Sequence, residues 1–232
     1  MLISAEQMGV TYRSGKGPVL AVRNASLEVA AGEIVAVYGP SGSGKTSLLM
    51  ALGGLLCPDA GRVMFKDEDV YRLSTSERAA FRNKHIGFVF QQFHLIPYLT
   101  VLENVMAPAL ATGSSAPADP GELIARFNLQ HRAGHLPSEL STGERQRVAL
   151  ARSLFNSPDI ILADEPTGSL DEENGRIVIE HLKAMAGEGR AVLVVTHDAR
   201  LRLQATRLLT LVQGQLSDEI APGRTDKPRR SD

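Results

Sequence analysis

The segment that decides the fold of this chain is Gly39-Pro40-Ser41-Gly42-Ser43-Gly44-Lys45-Thr46. It matches the pattern G-x-x-x-x-G-K-[ST] at every defined position. The apolar run Ile34–Tyr38 precedes it and an apolar helical segment begins near Ser47, so it joins a predicted strand to a predicted helix. Glycines let backbone N–H groups approach phosphate oxygens, and the helix N-terminus adds partial positive charge. We therefore expect nucleotide binding by this loop and Ser47, with Lys45 on the β- and γ-phosphates and Thr46 on Mg²⁺.

A second apolar strand, predicted over Ile160–Ala163, ends in the carboxylates Asp164 and Glu165. Ligands of parallel sheets bind at the carboxyl ends of the strands, so both acids should face the Lys45 loop. Asp164 suits the water-rich coordination shell of Mg²⁺, which needs an acceptor. Glu165 is placed to orient and polarise an attacking water. Together with the phosphate loop, this pair predicts ATP hydrolysis.

The order of predicted elements indicates an α/β fold. Continuous apolar strands alternate with helices, which is typical of a mainly parallel sheet covered on both faces, as in a P-loop NTPase core. Two strand-like runs before that core, Leu2–Tyr12 and Val19–Val29, predict an N-terminal antiparallel β subdomain. From about Gln92 to Leu140 the β-branched runs disappear, which predicts a helical insertion. We expect one domain over residues 1–220 and a disordered tail over 221–232.

Composition excludes several classes of protein. The 232 residues carry 25 Lys plus Arg and 26 Asp plus Glu, a formal net charge of −1, which argues against a nucleic-acid partner. The single cysteine, Cys57, cannot form an internal disulfide and fits a reducing compartment. No apolar stretch reaches the ~18 residues of a spanning helix, and the first residues do not read as a signal peptide.

Four further motifs raise the specificity of the prediction. They are Phe88–Phe93 (F-V-F-Q-Q-F), Leu140–Arg147 (L-S-T-G-E-R-Q-R), Asp164–Asp171 (D-E-P-T-G-S-L-D) and Thr196–Asp198 (T-H-D). With the phosphate loop and Tyr12, these motifs resemble, in order and spacing, the Q-loop, signature, Walker B plus D-loop, and switch histidine of ATP-binding-cassette ATPases. The resemblance covers nearly the whole chain, from about Ile3 to Ile220.

The resemblance implies roles for individual residues. Gln91 would bind Mg²⁺, sense the attacking water and link the site to the helical insertion. His197 would hold the γ-phosphate and Glu165 in register, and Tyr12 would stack on adenine. Two alternatives stay open: the neighbouring Gln92 could replace Gln91, and Tyr12 could be an ordinary strand aromatic.

The resemblance also implies a homodimer, in which two cassettes close head to tail around two ATP molecules. The Ser141 hydroxyl and the Gly143 backbone of one copy would donate to the γ-phosphate held by the other, and Asp171 would carry information across the interface. The signature departs from the usual L-S-G-G-Q, because Thr142 replaces Gly and Glu144 replaces Gln. We count Glu144 among the nucleotide-binding residues but leave its role open.

The sequences of Phe88–Val105 and Asp164–Asp171 resemble those of the bacterial branch that includes macrolide-efflux, lipoprotein-release and cell-division cassettes. This implies an integral-membrane subunit as partner, docking near Phe93–Glu103, and a peripheral location on the cytoplasmic face of the inner membrane. The apolar side chains Leu95, Ile96 and Leu99 are the candidates for that contact. Alternatives are the ATPase subunit of an importer, a soluble cassette that acts on ribosomes or DNA, and a P-loop kinase, which would leave the signature unexplained.

Overall fold

The computed structural model describes residues 1–15, 17–110 and 118–219. Its strands are β1 Ile3–Ser14, β2 Gly17–Val29, β3 Ile34–Tyr38, β4 Ala60–Phe65, β5 Glu68–Asp69, β6 Ile86–Val89, β7 Ile160–Asp164, β8 Ala191–Thr196, β9 Arg207–Val212 and β10 Gln215–Glu219. Its α-helices are α1 Lys45–Leu52, α2 Thr75–His85, α3 Val101–Leu110, α4 Pro120–Arg126, α5 Thr142–Leu154, α6 Glu172–Gly187 and α7 Ala199–Gln204. Two 3-10 turns, Gln130–Arg132 and Pro137–Glu139, precede α5.

The strands form two sheets, which confirms the predicted fold class. Four strands make an antiparallel sheet in the order β2-β1-β4-β5. The other six run in the order β10-β9-β3-β8-β7-β6, with every neighbouring pair parallel except β10 and β9. The two sheets meet at Gly214 in the β9–β10 turn, where its carbonyl accepts from the Arg23 N–H at 2.7 Å.

The parallel strands are buried on both faces, as their unbroken apolar sequence predicts. All residues of β7 and β8 are buried, including Asp164 at the end of β7. Successive side chains of β8 alternate between two cores: Leu193 and Val195 join the one around the antiparallel sheet, and Val192 and Val194 join the one beneath the helices. The central sheet therefore forms one wall of both cores.

Helix ends differ from the sequence prediction by a few residues, for local reasons. Helix α1 begins at Lys45 instead of near Ser47, because the phosphate loop leads directly into it with Gly44 as N-cap. It ends at Leu52, before Gly54, whose positive φ of 70° stops the helix. The sequence analysis also missed β5 and α7, which are short enough to lack a clear hydrophobic period.

Between Gln92 and Leu140, the described residues contain α3, α4 and the 3-10 turns and no strand, in line with the expected helical insertion.

The buried Asn104 fixes the entry to α3: its side-chain oxygen accepts from the Ile96 N–H, and its amide donates to the carbonyls of Ile96, Leu99 and Thr100. The predicted tail over 221–232 lies outside the described residues, as do residues 111–117 within the insertion.

Candidate active site

The phosphate loop joins β3 to α1 and holds Lys45 in a buried position. The Lys45 ammonium donates to the carbonyl of Gly39 at 2.8 Å and to that of Pro40 at 3.1 Å. It lies 3.6 Å from Oε1 of Glu165, across the cleft. These contacts fix a positive charge where the loop amides and the N-terminus of α1 converge, which is the arrangement that binds polyphosphates.

Two glycines of the loop are required for packing as well as for phosphate access. A Cβ on Gly44 would lie 1.9 Å from the carbonyl oxygen of Ala21, and Gly44 also has a positive φ of 104°. A Cβ on Gly39 would lie 2.2 Å from the carbonyl oxygen of Leu211. The loop is thus pressed between the antiparallel sheet and the end of β9, a constraint that the motif alone does not reveal.

Two of the three residues expected to bind Mg²⁺, Thr46 and Asp164, are adjacent; the third, Gln91, lines the same cleft. The hydroxyl of Thr46 donates to Oδ2 of Asp164 at 2.8 Å. Burial raises the pKa of Asp164; the Thr46 hydroxyl and Lys45 oppose that rise, and the neighbouring Glu165 carboxylate adds to it. A hydroxyl and a carboxylate are the hard oxygen donors that Mg²⁺ prefers, and a cation would relieve this local excess of negative charge. The pair therefore fits the metal, which would supply charge neutralisation at the phosphates.

Glu165 is held on both sides. Its Oε2 accepts from the His197 backbone N–H at 3.1 Å and lies 2.9 Å from His197 Nδ1, while Oε1 faces Lys45. The backbone of Glu165 has a φ of 45°, an uncommon left-handed conformation that turns its side chain back over the strand ends. A carboxylate fixed in this way, beside a cation that binds phosphate, can accept a proton from an attacking water.

These groups line one cleft of about 750 Å³. Of the residues predicted from the sequence, the cleft wall includes Tyr12, Ser41, Gly42, Gly44, Lys45, Thr46, Ser47, Gln91, Asp164, Glu165 and His197. Gln91 reaches the D-loop as well: its Nε2 lies 3.4 Å from the position of a Cβ on Gly168. Gln92 is not part of this wall, which favours Gln91 as the residue that faces a nucleotide.

The mouth of the cleft contains residues that the sequence analysis missed. Tyr12 pairs with Val19 and Thr11 with Leu20 across the β1–β2 hairpin. Val19, Leu20 and the Tyr12 ring are all substantially exposed, and the Tyr12 hydroxyl lies 3.1 Å from Oγ of Ser47. They form an apolar surface beside the phosphate loop that suits a flat base. The predicted loop after Tyr12 could have revealed Val19 and Leu20, because a hairpin places them opposite that ring.

The signature residues do not line this cleft. Ser141 is the N-cap of α5, and its hydroxyl accepts from the Glu144 N–H at 3.2 Å while Oε2 of Glu144 accepts from the Ser141 N–H at 2.8 Å. This reciprocal pair is a capping box. Asp171 caps α6 in a similar way by accepting from the Asn174 N–H. Ser141, Gly143, Glu144 and Asp171 therefore lie at helix N-termini apart from the Lys45 cleft. Ser141 and Asp171 are exposed there, whereas Gly143 and Glu144 are buried.

The unusual Glu144 has local partners for its charge. It is 8% exposed, and Oε1 accepts from Nε of Arg132 at 2.8 Å. Burial disfavours the charged form, but the hydrogen bonds with Ser141 and the Arg132 guanidinium outweigh it and lower the pKa of Glu144 to about 2. Its negative charge is thus neutralised within the helical region.

The family model described as ABC transporter matches residues 22–168, which include the phosphate loop, the signature and Asp164–Glu165. This chain belongs to the ATP-binding-cassette transporter family. The cassette is an ATPase that uses ATP and Mg²⁺, and the elements described above are those of its nucleotide-binding domain. The predicted resemblance is therefore confirmed at the level of the family.

Known proteins similar to this cassette come from several bacteria. The lipoprotein-releasing system ATP-binding protein LolD 1 of Rhodopirellula baltica is 46% identical over 220 residues, covering 93% of this chain and 96% of that protein. LolD of Shewanella oneidensis is 42% identical over 220 residues, with the same shares covered. Both relatives belong to the branch that the Q-loop and D-loop sequences indicated, the one that includes lipoprotein-release cassettes.

Two solved structures share the fold. The dimeric post-hydrolysis state of the cassette MJ0796 bound to ADP and Pi has a TM-score of 0.86 at 36% identity, covering 94% of this chain and 98% of that chain. A second dimeric structure of MJ0796 has a TM-score of 0.85 at 37% identity, with the same coverage. The arrangement of sheets and helices in this cassette is thus shared with cassettes solved as dimers.

We expect Tyr12→Ala to weaken nucleotide binding by about 1 kcal/mol, roughly fivefold in Kd, because one ring–base stacking contact is lost. Tyr12→Phe is the matched control, since it removes only the hydroxyl near Ser47 and keeps the ring. Titration with a fluorescent ATP analogue measures both variants. Equal affinities for Tyr12→Ala and the wild type would make Tyr12 an ordinary strand residue.

We expect Glu144→Gln to lower the free energy of unfolding by about 1 kcal/mol at pH 7, because Gln keeps the capping box but loses the charge that Arg132 binds. The folded-state pKa is depressed, so this stability is complete above the unfolded value near 4.5 and is lost as pH falls towards 2. Urea denaturation at several pH values measures the difference. Glu122→Gln, at an exposed site, should show none; a pH-independent gap for Glu144→Gln would contradict the assignment.

Proposed function

We propose that this cassette is the ATPase subunit of a bacterial lipoprotein-releasing transporter. The observation that carries the proposal is the match to lipoprotein-releasing ATP-binding proteins at 42–46% identity over 93% of this chain and 96% of those proteins. Near-complete coverage at this identity includes the cleft and the segments around it. The importer alternative has no specific observation in its favour.

Within the cleft, the chain's own residues divide the work of hydrolysis. The phosphate-loop amides and Lys45 bind and orient the polyphosphate. Thr46 and Asp164 are the candidates for holding Mg²⁺ beside it. Glu165 takes the proton of the attacking water, and His197 keeps that carboxylate aligned through the contacts at 3.1 and 2.9 Å. Gln91 lines the same cleft and would supply a further polar group beside the reacting phosphate.

The active unit in this proposal is a head-to-tail homodimer. The exposed Ser141 caps the helix that contains Gly143, and neither residue lines the Lys45 cleft of its own chain, so a second copy is needed to bring this helix N-terminus to the γ-phosphate. The solved cassettes with the same fold are described as dimers. Each ATP would thus be bound between Lys45 of one copy and Ser141 of the other.

A separate membrane subunit would couple hydrolysis to transport. In the described part of the chain, no helix has the length and apolar character needed to span a bilayer. A largely apolar groove of about 1250 Å³ lies between α2 and the Q-loop, with Ala79, Phe90 and His94 in its wall. We assign this groove to a cytoplasmic segment of the membrane subunit, which would hold the cassette at the cytoplasmic face of the inner membrane.

The groove is connected to the active site and to the signature helix. Arg152, from α5, lines the groove and donates to the carbonyls of Phe93 at 2.5 Å and His94 at 2.6 Å. These residues follow Gln91 and both have positive φ values, so one guanidinium fixes a tight turn of the Q-loop. A segment bound in the groove would contact this turn directly.

The docking residues predicted from sequence follow His94 in the chain, but they are not part of the groove wall and are less accessible than expected. Leu95, Ile96 and Leu99 are half-buried, and Leu95 packs against the core beneath the helices. Exposed apolar side chains in the same segment include Tyr98, Leu102, Met106 and Leu110. Leu95, Ile96 and Leu99 remain candidates for contact with the membrane subunit. A substitution in the exposed wall of the groove tests that contact with less risk to folding.

We expect Glu165→Gln to slow hydrolysis by ~10²–10⁴-fold, because the general base is lost, and to leave ATP binding intact. ATP that is bound but not hydrolysed should trap the closed dimer. Size exclusion with light scattering should therefore show a monomer without nucleotide and a dimer with ATP. Adding Ser141→Arg should prevent the dimer without loss of ATP binding.

Two outcomes would contradict this scheme. Normal hydrolysis by the Glu165→Gln protein would remove Glu165 from the mechanism. A variant that binds ATP without hydrolysing it, and yet stays monomeric at all concentrations, would exclude the homodimer and indicate a different cassette as partner.

We expect the cassette, reconstituted in proteoliposomes with the membrane subunits of its transporter, to release a lipid-modified protein from the bilayer in an ATP-dependent way. Ala79→Arg fills the groove with a charged side chain, so it should abolish stimulation of the ATPase by the membrane subunits and spare basal hydrolysis. Glu122→Arg, outside the groove, is the matched control. ATP-dependent transport of another substrate, with lipoprotein left in the membrane, would refute the lipoprotein assignment.

A further inference from the structure

Asn174, in the first turn of α6, contacts the D-loop carboxylate with both its backbone and its side chain. Its backbone N–H donates to Oδ1 of Asp171 at 2.8 Å. Its side-chain Nδ2 lies 3.0 Å from Oδ1 and 2.9 Å from Oδ2 of the same residue. Asp171 is exposed, and these hydrogen bonds from Asn174 lower its pKa. The D-loop carboxylate is thus held mainly by one neighbour.

The other end of the Asn174 amide lies against the signature. A Cβ on Gly143 would be 2.2 Å from Oδ1 of Asn174, so the amide occupies the space that any larger residue at 143 would need. The same oxygen accepts from Nη1 of Arg147, one turn further along α5, at 3.3 Å. One short side chain therefore touches both of the surface motifs that the proposed dimer presents to its second copy.

The chemistry of these contacts requires an amide. The Asp171 carboxylate only accepts hydrogen bonds and the Arg147 guanidinium only donates them, so the group between them must donate on one side and accept on the other. This requirement also fixes which end of the amide is nitrogen. An aspartate at position 174 would bring two carboxylates together, and an alanine would keep only the backbone hydrogen bond to Asp171 and lose the side-chain contacts with Asp171 and Gly143.

The first turn of α6 is also bound to Arg200, which lies in α7, the helix that begins two residues after His197. Arg200 donates to the Glu172 carbonyl at 3.2 Å, and its guanidinium lies 2.7 Å from the position of a Cβ on Gly175. Asp198 holds Arg200 through several hydrogen bonds and accepts from the Thr167 hydroxyl at 2.7 Å. A continuous polar chain therefore runs from beside His197, through the first turn of α6, to Asn174.

We infer that Asn174 is a positioning residue that sets the spacing between the signature and the D-loop of the same chain. This inference rests on the proposed dimer, in which Ser141 and Asp171 both face the second copy. In that dimer, the signature of a chain faces the ATP bound by the second copy, and His197 faces the ATP bound by its own chain. Because the first turn of α6 contacts both Arg200, near His197, and the signature, it connects these two regions. Asn174 would thereby link the two ATP sites through one polypeptide.

The test exchanges the donor and the acceptor of the hydrogen bond between the side chains at positions 174 and 171. It is done in the Glu165→Gln background, and sedimentation measures the ATP-driven dimerisation of each variant. Asn174→Asp should weaken the ATP-bound dimer about tenfold, because it places a second carboxylate beside Asp171. The double variant Asn174→Asp with Asp171→Asn restores a donor opposite an acceptor, and asparagine is an equally good N-cap. We expect the dimerisation affinity of the double variant to recover to within about threefold of the parent. The single variant Asp171→Asn completes the double-mutant cycle.

The controls separate positioning from general damage. All variants should bind a fluorescent ATP analogue as the parent does, because Asn174 lies away from the Lys45 cleft. Glu173→Gln, at an exposed position in the same turn, should dimerise normally. Dimerisation of Asn174→Asp at the parent level, or a double variant no better than Asn174→Asp, would overturn the inference. A parent that fails to dimerise would refute the proposed homodimer, and this inference with it.

Discussion

Parallel pairing between neighbouring strands is the constraint on which the active site depends. Tyr38 of β3 lies opposite Thr196 of β8, and Asp164 of β7 lies opposite Val195. The residues that follow these strands, including the phosphate loop, Glu165 and His197, therefore emerge side by side at one edge of the sheet. A shift of one residue in either pair would turn a catalytic side chain to the opposite face. Full burial of β7 and β8 holds this register in place.

Short polar contacts, more than apolar packing, set the geometry around that edge. Lys45 is held by the carbonyls of its own loop, and Glu165 is held by His197. Farther out, Arg152 binds the Q-loop turn and Asn104 fixes the entry to α3. Because such bonds depend steeply on distance and angle, they restrict the positions that these groups can take around the cleft.

In the proposed dimer, the signature keeps its physical role although its sequence departs from L-S-G-G-Q. A helix N-terminus that points at phosphate needs free backbone N–H groups and a capping residue, and Ser141 supplies the cap. Glu144 satisfies the third position of the capping box as glutamine would, and Arg132 binds the charge that glutamine would lack. Thr142 begins the helix proper. The features that matter are thus the helix start and the absence of a Cβ at Gly143.

The sequence by itself determined the fold class, the phosphate loop and the family, because these depend on short-range patterns: an apolar strand, glycines at fixed spacing, a lysine and a carboxylate pair. It also indicated which of these residues share a cleft, since strand ends of a parallel sheet coincide. The tertiary structure alone decided the contacts made across long sequence separations. The packing of Gly44 on Ala21, the binding of Glu144 by Arg132 and the contact of Asn174 with Gly143 each join different elements, and no local pattern encodes such distances.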